Sequence, residues 1–138
     1  MVVTKAQVRA IEDHARETYP EECCGFLIGP TGEPRRIEEI RRATNVVPEN
    51  RARRYVIDPK ETFMVEKSLT GRGREILGFY HSHPNHPAVP SEFDRGHAWP
   101  WYSYVILSIV DRRPEDLRAW TLDEGRGTFQ PDELTVEA

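Results

Sequence analysis

The segment GFYHSHPNHPAVPSEFD, residues 78–94, places two histidines two positions apart, a proline directly after them, and a Ser-x-x-Asp pair separated from that proline by six residues. On extended backbone, alternate residues share a face, so His81 and His83 point to the same side. Both imidazoles then reach one ion at the roughly 2.0–2.1 Å of a zinc–nitrogen bond. Pro84 ends the strand, Pro90-Ser91 reads as the start of a helix, and Asp94 falls in its first turn, where its carboxylate swings back as a third ligand. Two neutral imidazoles and a carboxylate, with a fourth position open, is the donor set of a catalytic rather than a structural zinc. Each part alone is ordinary. Ser91-x-x-Asp94 also describes a plain helix N-terminus, and a lone His-x-His is usually a surface pair. His86 and His97 are spare histidines that fit the loop and helix surface more naturally, and His14 reads as a surface residue of the first helix. The combination is what carries weight.

Working outward, Ile76–Tyr80 leads into the histidine pair as a strand, and Tyr104–Val110 is the most hydrophobic strand of the chain. Upstream, Thr4 caps a helix with Val8, Ile11, Ala15 and Thr18 at helical spacing, which stops before Pro20. Cys24–Ile28 is a buried strand, Gly29-Pro30-Thr31-Gly32 a turn, and Ile37 and Ile40 mark a strand covered on one face. Residues 43–53 read as a loop and Tyr55–Ile57 as a further strand. Asp58-Pro59-Lys60-Glu61 opens a second helix, with Asp58 as cap, Pro59 in the first turn, Glu61 as capping-box partner and Gly71 as the stop. Leu117–Leu122 and the segment around Phe129 close the chain as strands. The expectation is one domain over residues 1–138, α/β (α+β) in class: a mixed sheet of about six strands flanked by two or three helices.

Composition narrows the classes. Charged residues make up 30% of the 138 and apolar ones 38%, a balance that suits a folded chain with a solvated surface. No run of about 18 apolar residues exists, which excludes a helical membrane span. The net charge of −4 argues against a protein that grips a phosphate backbone, which carries a basic excess or stripe. The one dense basic run, Arg51, Arg53 and Arg54, reads as a solvated loop or strand edge rather than a nucleic-acid patch. Cys23 and Cys24 are adjacent, too strained to bridge one another, and as buried thiols they fit a reducing, cytoplasmic setting. The N-terminal residues lack an export signal.

The His-x-His-Pro spacing to Ser-x-x-Asp resembles the JAMM metalloprotease motif of the MPN (Mov34/PAD-1) family. A second part of the likeness is Glu22-Cys23-Cys24-Gly25-Phe26-Leu27-Ile28, a glutamate just ahead of a Cys-Gly pair and an apolar run, and the match spans roughly residues 4 to 110 in the family's order of elements. The resemblance implies an MPN-type fold in which His81, His83 and Asp94 hold one zinc ion per chain. It makes Glu22 the general base and Ser91 the donor to the oxyanion. Strand alternation alone does not choose between Glu21 and Glu22; the family spacing selects Glu22.

The resemblance also implies a substrate. Family members cleave peptide or isopeptide bonds after the tail of ubiquitin-like proteins, and only about seven residues separate Asp94 from the strand near Tyr102, too few for a long recognition insertion. The chain is similar to short stand-alone prokaryotic members that process ubiquitin-like sulfur-carrier proteins at their Gly-Gly end. The carrier tail is expected to add as a strand beside the sheet, with Trp99, Trp101 and Tyr102 either walling it or packing in the core. Exposed strand edges would permit a homodimer. A non-catalytic scaffold module on the same fold is the alternative. A nucleobase deaminase lacks support, since no C-x-x-C occurs, and so does a nucleotide-binding loop.

Overall fold

Thr4 ends strand β1 (Val2–Thr4) and caps helix α1 (Lys5–Thr18): its hydroxyl accepts from the Gln7 amide while the Gln7 side chain accepts from the Thr4 amide. In this computed structural model, which describes residues 1–125 and 127–138, the chain continues through β2 (Cys24–Gly29), β3 (Glu39–Ala43), α2 (Pro59–Leu69), β4 (Glu75–Pro84), α3 (Glu92–Gly96), β5 (Ser103–Val110), β6 (Arg113–Leu122), β7 (Phe129–Asp132) and β8 (Thr135–Glu137). Six strands form one mixed sheet in the order β3-β2-β4-β5-β6-β7, as the expected α+β class requires. Every neighbouring pair is antiparallel except β4 and β5. A parallel pair needs a crossover. Here residues 85–102 make it, and they carry α3 past the carboxyl end of β4.

Strand β2 is buried along its whole length, which is why its sequence is an unbroken apolar run rather than an alternating one. One face of the sheet packs Leu27, Leu77, Tyr80, Val105 and Leu107 against Ile11 and Ala15 of α1. The other packs Phe26, Ile28 and Ile76 against Val65 and Leu69 of α2. Between β2 and β4, Leu27 pairs with Gly78 but Ile28 with Ile76, so Leu77 is the extra residue of a bulge. The bulge resets the alternation. Tyr80 and Ser82 face α1, while Phe79, His81 and His83 face the α2 side. Gly78 lets β4 and β5 meet there, because a Cβ at that position would lie 1.9 Å from the Ser103 carbonyl oxygen.

Four expectations need correction. Tyr55–Ile57 forms no strand; only an isolated bridge joins Ile57 to Asn45, because the Asn45 side chain takes the Val56 amide. Ile37 lies outside β3 and is buried beside Val2, to whose carbonyl its amide donates. Asp58 caps α2 through the Lys60 amide, and Glu61 accepts from the Thr44 amide instead of closing a capping box. His14 is buried, not on the surface, and shares a 2.7 Å hydrogen bond with the Tyr80 hydroxyl. The parallel β1–β8 pair was not anticipated. Among the described residues, no helix is long and apolar enough to cross a membrane.

Candidate metal centre

His81 and His83 leave the carboxyl end of β4 on one face, and the crossover returns Asp94 to them in the first turn of α3. The His81 Nε2 atom lies 3.1 Å from His83 Nε2 and 3.2 Å from Asp94 Oδ2, and His83 Nε2 lies 3.0 Å from that same oxygen. Three ligands at about 2.0–2.1 Å from one ion, at tetrahedral angles, stand about 3.3 Å apart. The three donors are therefore spaced for a single metal. His83 Nδ1–H donates to the Pro87 carbonyl at 2.7 Å. That fixes the tautomer and leaves the Nε2 lone pair facing the centre, the usual support of a metal-bound imidazole. His81 is held differently: the Tyr55 ring stacks on it at 4.4 Å and 27°.

Ser91 and Asp94 form a reciprocal cap. The Asp94 amide donates to Ser91 Oγ at 3.0 Å, and the Ser91 amide donates to Asp94 Oδ2 at 2.9 Å. The cap is an ordinary helix start, and it also aims the carboxylate at the histidines. Burial works against the Asp94 charge, but the adjoining His81 and His83 imidazoles and the Ser91 amide hold the carboxyl well below the usual carboxylate range.

Glu22 completes the group. One ligand atom from each of Glu22, His81, His83 and Asp94 lies within 4.8 Å of every other, and all four residues are buried. Glu22 is 1% exposed, while Glu21 is on the surface. Both Glu22 carboxylate oxygens, Asp94 Oδ1 and His81 Nδ1 have no hydrogen-bond partner among the described residues. Buried orphans of this kind each cost about 1–3 kcal/mol, more when charged. A cation among them removes that cost for the carboxylates, and two imidazoles plus carboxylate oxygens form a donor set that suits zinc. The residues present thus fit the metal that the resemblance implies.

The Glu22 backbone is strapped from the other side. Its amide donates to the Arg51 carbonyl at 2.8 Å, and its carbonyl accepts from Asn45 Nδ2 at 3.2 Å. Asn45 Nδ2 also reaches the Arg54 carbonyl, while its Oδ1 accepts from the Val47 and Val56 amides. Asn45 and Tyr55 are the site residues that the sequence reading missed. Asn45 looked like one polar loop residue among several, and Tyr55 like part of a strand.

Of the spare histidines, His86 stacks on His83 at 4.0 Å without joining the converging donors, and His97 lies exposed over Phe93. Trp101 is exposed, with the Arg35 guanidinium 4.5 Å over its ring. Tyr102 packs on Phe79, and Trp99 is 67% exposed.

Burial, and next the Asp94 charge, push the Glu22 carboxyl up from 4.5 to about 9, with Arg53 pulling the other way. A folded-state value raised above the unfolded one stabilises the fold at low pH, and that stabilisation is lost as pH rises toward the folded value. His14, lowered by burial to about 4, and the lowered Asp94 act at more acid pH. The buried Cys23 thiol, raised to about 11, acts at more alkaline pH. With a chelator present, the denaturation midpoint is therefore expected to fall between pH 6.5 and 8.5, and Glu22→Gln to flatten that slope. Parallel slopes for the two proteins would contradict the placement of this carboxyl.

Comparison with known proteins follows the same lines. Residues 4–123 match the family described as prokaryotic homologues of the JAB domain. A desampylase of Haloferax volcanii is 38% identical over 122 residues, covering 85% of each chain. A CysO-cysteine peptidase of Mycobacterium tuberculosis is 32% identical over 132 residues, 95% of this chain and 88% of that one. The crystal structure of a JAB1/MPN domain protein from Archaeoglobus fulgidus superposes with a TM-score of 0.64 over 100% of both chains at 19% identity, a likeness of fold.

Proposed function

The chain belongs to the family of prokaryotic JAB-domain homologues, and from that premise we propose that it is a zinc peptidase or isopeptidase. Its substrate is the bond after the Gly-Gly tail of a ubiquitin-like, sulfur-carrier type of protein. The observation that carries this reading is the meeting of four buried groups, Glu22, His81, His83 and Asp94, whose carboxylates keep oxygens without partners among the described residues. The names of the relatives, a desampylase and a CysO-cysteine peptidase, support ubiquitin-like conjugates as the substrate class. On this reading residues 1–138 act as one metallopeptidase domain. The free, buried Cys23 and Cys24 suit a reducing cytoplasm.

His81, His83 and Asp94 would hold the zinc, which supplies a Lewis acid and makes hydroxide available at neutral pH. Glu22 accepts the proton of the attacking water and passes it to the departing amine, a transfer worth about 10²–10⁴-fold. Its burial keeps bulk water from competing for that proton. The Ser91 hydroxyl already accepts the Asp94 amide, so its own proton remains free to donate to the carbonyl oxygen as negative charge develops. Removal of such a donor costs on the order of 10²–10³ in turnover.

The test is cleavage of a carrier protein extended past its Gly-Gly end, with and without a chelator. The expected result is a trimmed carrier, lost with chelation and restored by zinc. Cleavage that persists after the metal is stripped would reject the mechanism.

A further inference from the structure

We infer that Tyr55 is a positioning residue for the metal ligand His81: its ring, pinned in place by Asn45, fixes the plane of an imidazole that no hydrogen bond fixes. This rests on the metal centre of the reading above and deepens it. Two of the converging groups are aimed by side-chain hydrogen bonds of their own. His83 gives Nδ1–H to the Pro87 carbonyl, and Asp94 Oδ2 takes the Ser91 amide. His81 has no such aid, because its Nδ1 is buried without a partner among the described residues. A metal-ligating imidazole is normally oriented through its other nitrogen. Without that bond, only packing resists rotation of the ring. What packs on it is Tyr55. The two rings lie stacked, 4.4 Å apart at 27°, whereas His83 meets His81 edge-on at 4.9 Å and 61°.

A ring on a loose loop would position nothing. Tyr55 lies outside every helix and strand, yet both peptide groups that flank it are tied to one side chain. Asn45 Nδ2 donates to the Arg54 carbonyl at 3.0 Å, and Asn45 Oδ1 accepts from the Val56 amide at 3.1 Å. The Val56 carbonyl in turn takes the Val46 amide at 2.8 Å. Asn45 Nδ2 also donates to the Glu22 carbonyl, and its Oδ1 accepts from the Val47 amide. Both donors and both lone pairs of the carboxamide are thereby used, and the same side chain that steadies the Glu22 backbone steadies the ring over His81. The Tyr55 hydroxyl makes no hydrogen bond among the described residues. The planar face of the ring is therefore the part that acts on His81.

The experiment measures zinc affinity by competition with a chromophoric chelator for the unsubstituted chain, Tyr55→Phe, Tyr55→Leu and Tyr55→Met. Leucine and methionine fill the place with apolar side chains that have no planar face. Both should weaken zinc by roughly 10–100-fold, the loss that follows removal of an outer-shell partner. Tyr55→Phe, which keeps the ring, should restore the affinity to within a few-fold of the unsubstituted chain. The melting temperature of each metal-free protein separates the roles: a merely structural ring would lower it and leave the zinc affinity of the folded protein unchanged. Zinc held by Tyr55→Leu and Tyr55→Met as tightly as by the unsubstituted chain, or by Tyr55→Phe as weakly as by Tyr55→Leu, overturns the assignment. An unsubstituted chain that takes up no zinc overturns it too, together with the metal centre. Weakened zinc in Tyr55→Leu, from a chain that binds zinc but cleaves no carrier, would support the assignment and reject the peptidase reading.

Discussion

Glu22→Gln is expected to bind zinc as the unsubstituted chain does and to lose turnover by about 10²–10⁴-fold. Glutamine keeps the shape of the side chain and all of the backbone bonds to Arg51 and Asn45, but it accepts no proton. The substitution also removes a carboxyl that burial and Asp94 disfavour as a charge, so the metal-free variant should be the more stable protein above neutral pH. Loss of activity together with loss of fold would therefore be a contradictory pattern. Steady-state turnover on an extended carrier, with metal content measured on the same sample, decides it. Turnover within a few-fold of the unsubstituted enzyme would remove Glu22 from the role of base.

His83→Ala is expected to lose both metal and activity. The imidazole supplies one of three converging donors, and its Nδ1–H holds the Pro87 carbonyl. The fall in zinc affinity should exceed the roughly 10–100-fold that follows loss of an outer-shell partner alone. His83 is fully buried, so the truncation also leaves a cavity, and His83→Gln serves as a larger replacement that fills it. Both variants should retain the circular dichroism of the unsubstituted chain with zinc absent from it. A folded His83→Gln protein carrying a full zinc complement would show that the donor set is wrong.

The parts of the site legible from the sequence are those whose geometry is local. His81 and His83 share a face because alternate residues of a strand must. Asp94 returns to them because a helix cap three residues after Ser91 aims it there. Glu22 lies far away in the chain, and burial separates it from Glu21 only once β2 is paired with β4, Cys24 standing opposite His81. The strap was not legible at all. Asn45 acts on Glu22, Arg54 and Val56 through its side chain, so no periodicity records it. Tyr55 lies in a short apolar run that looks like a strand, but its neighbour Val56 gives its amide to the Asn45 side chain. The β1–β8 pair involves strands of three residues, too short to show alternation. The bulge at Leu77 shifts the faces of β4 without any change in composition. His14 did leave a trace: it follows Ile11 by three positions, on the helical stripe that faces the sheet. Its polarity outweighed that position until the Tyr80 hydroxyl was seen to satisfy it.

The proposed function requires one metal and one buried glutamate to act together on a bond at the end of a ubiquitin-like tail. Native mass spectrometry of the protein mixed with a sulfur-carrier protein extended past its Gly-Gly end, with Glu22→Gln in parallel, reads the metal and the product in one spectrum. The expected spectrum shows one zinc per chain in both proteins and a trimmed carrier only with the unsubstituted enzyme. A chain that takes up no zinc after reconstitution, or a carrier trimmed equally by Glu22→Gln, would contradict it.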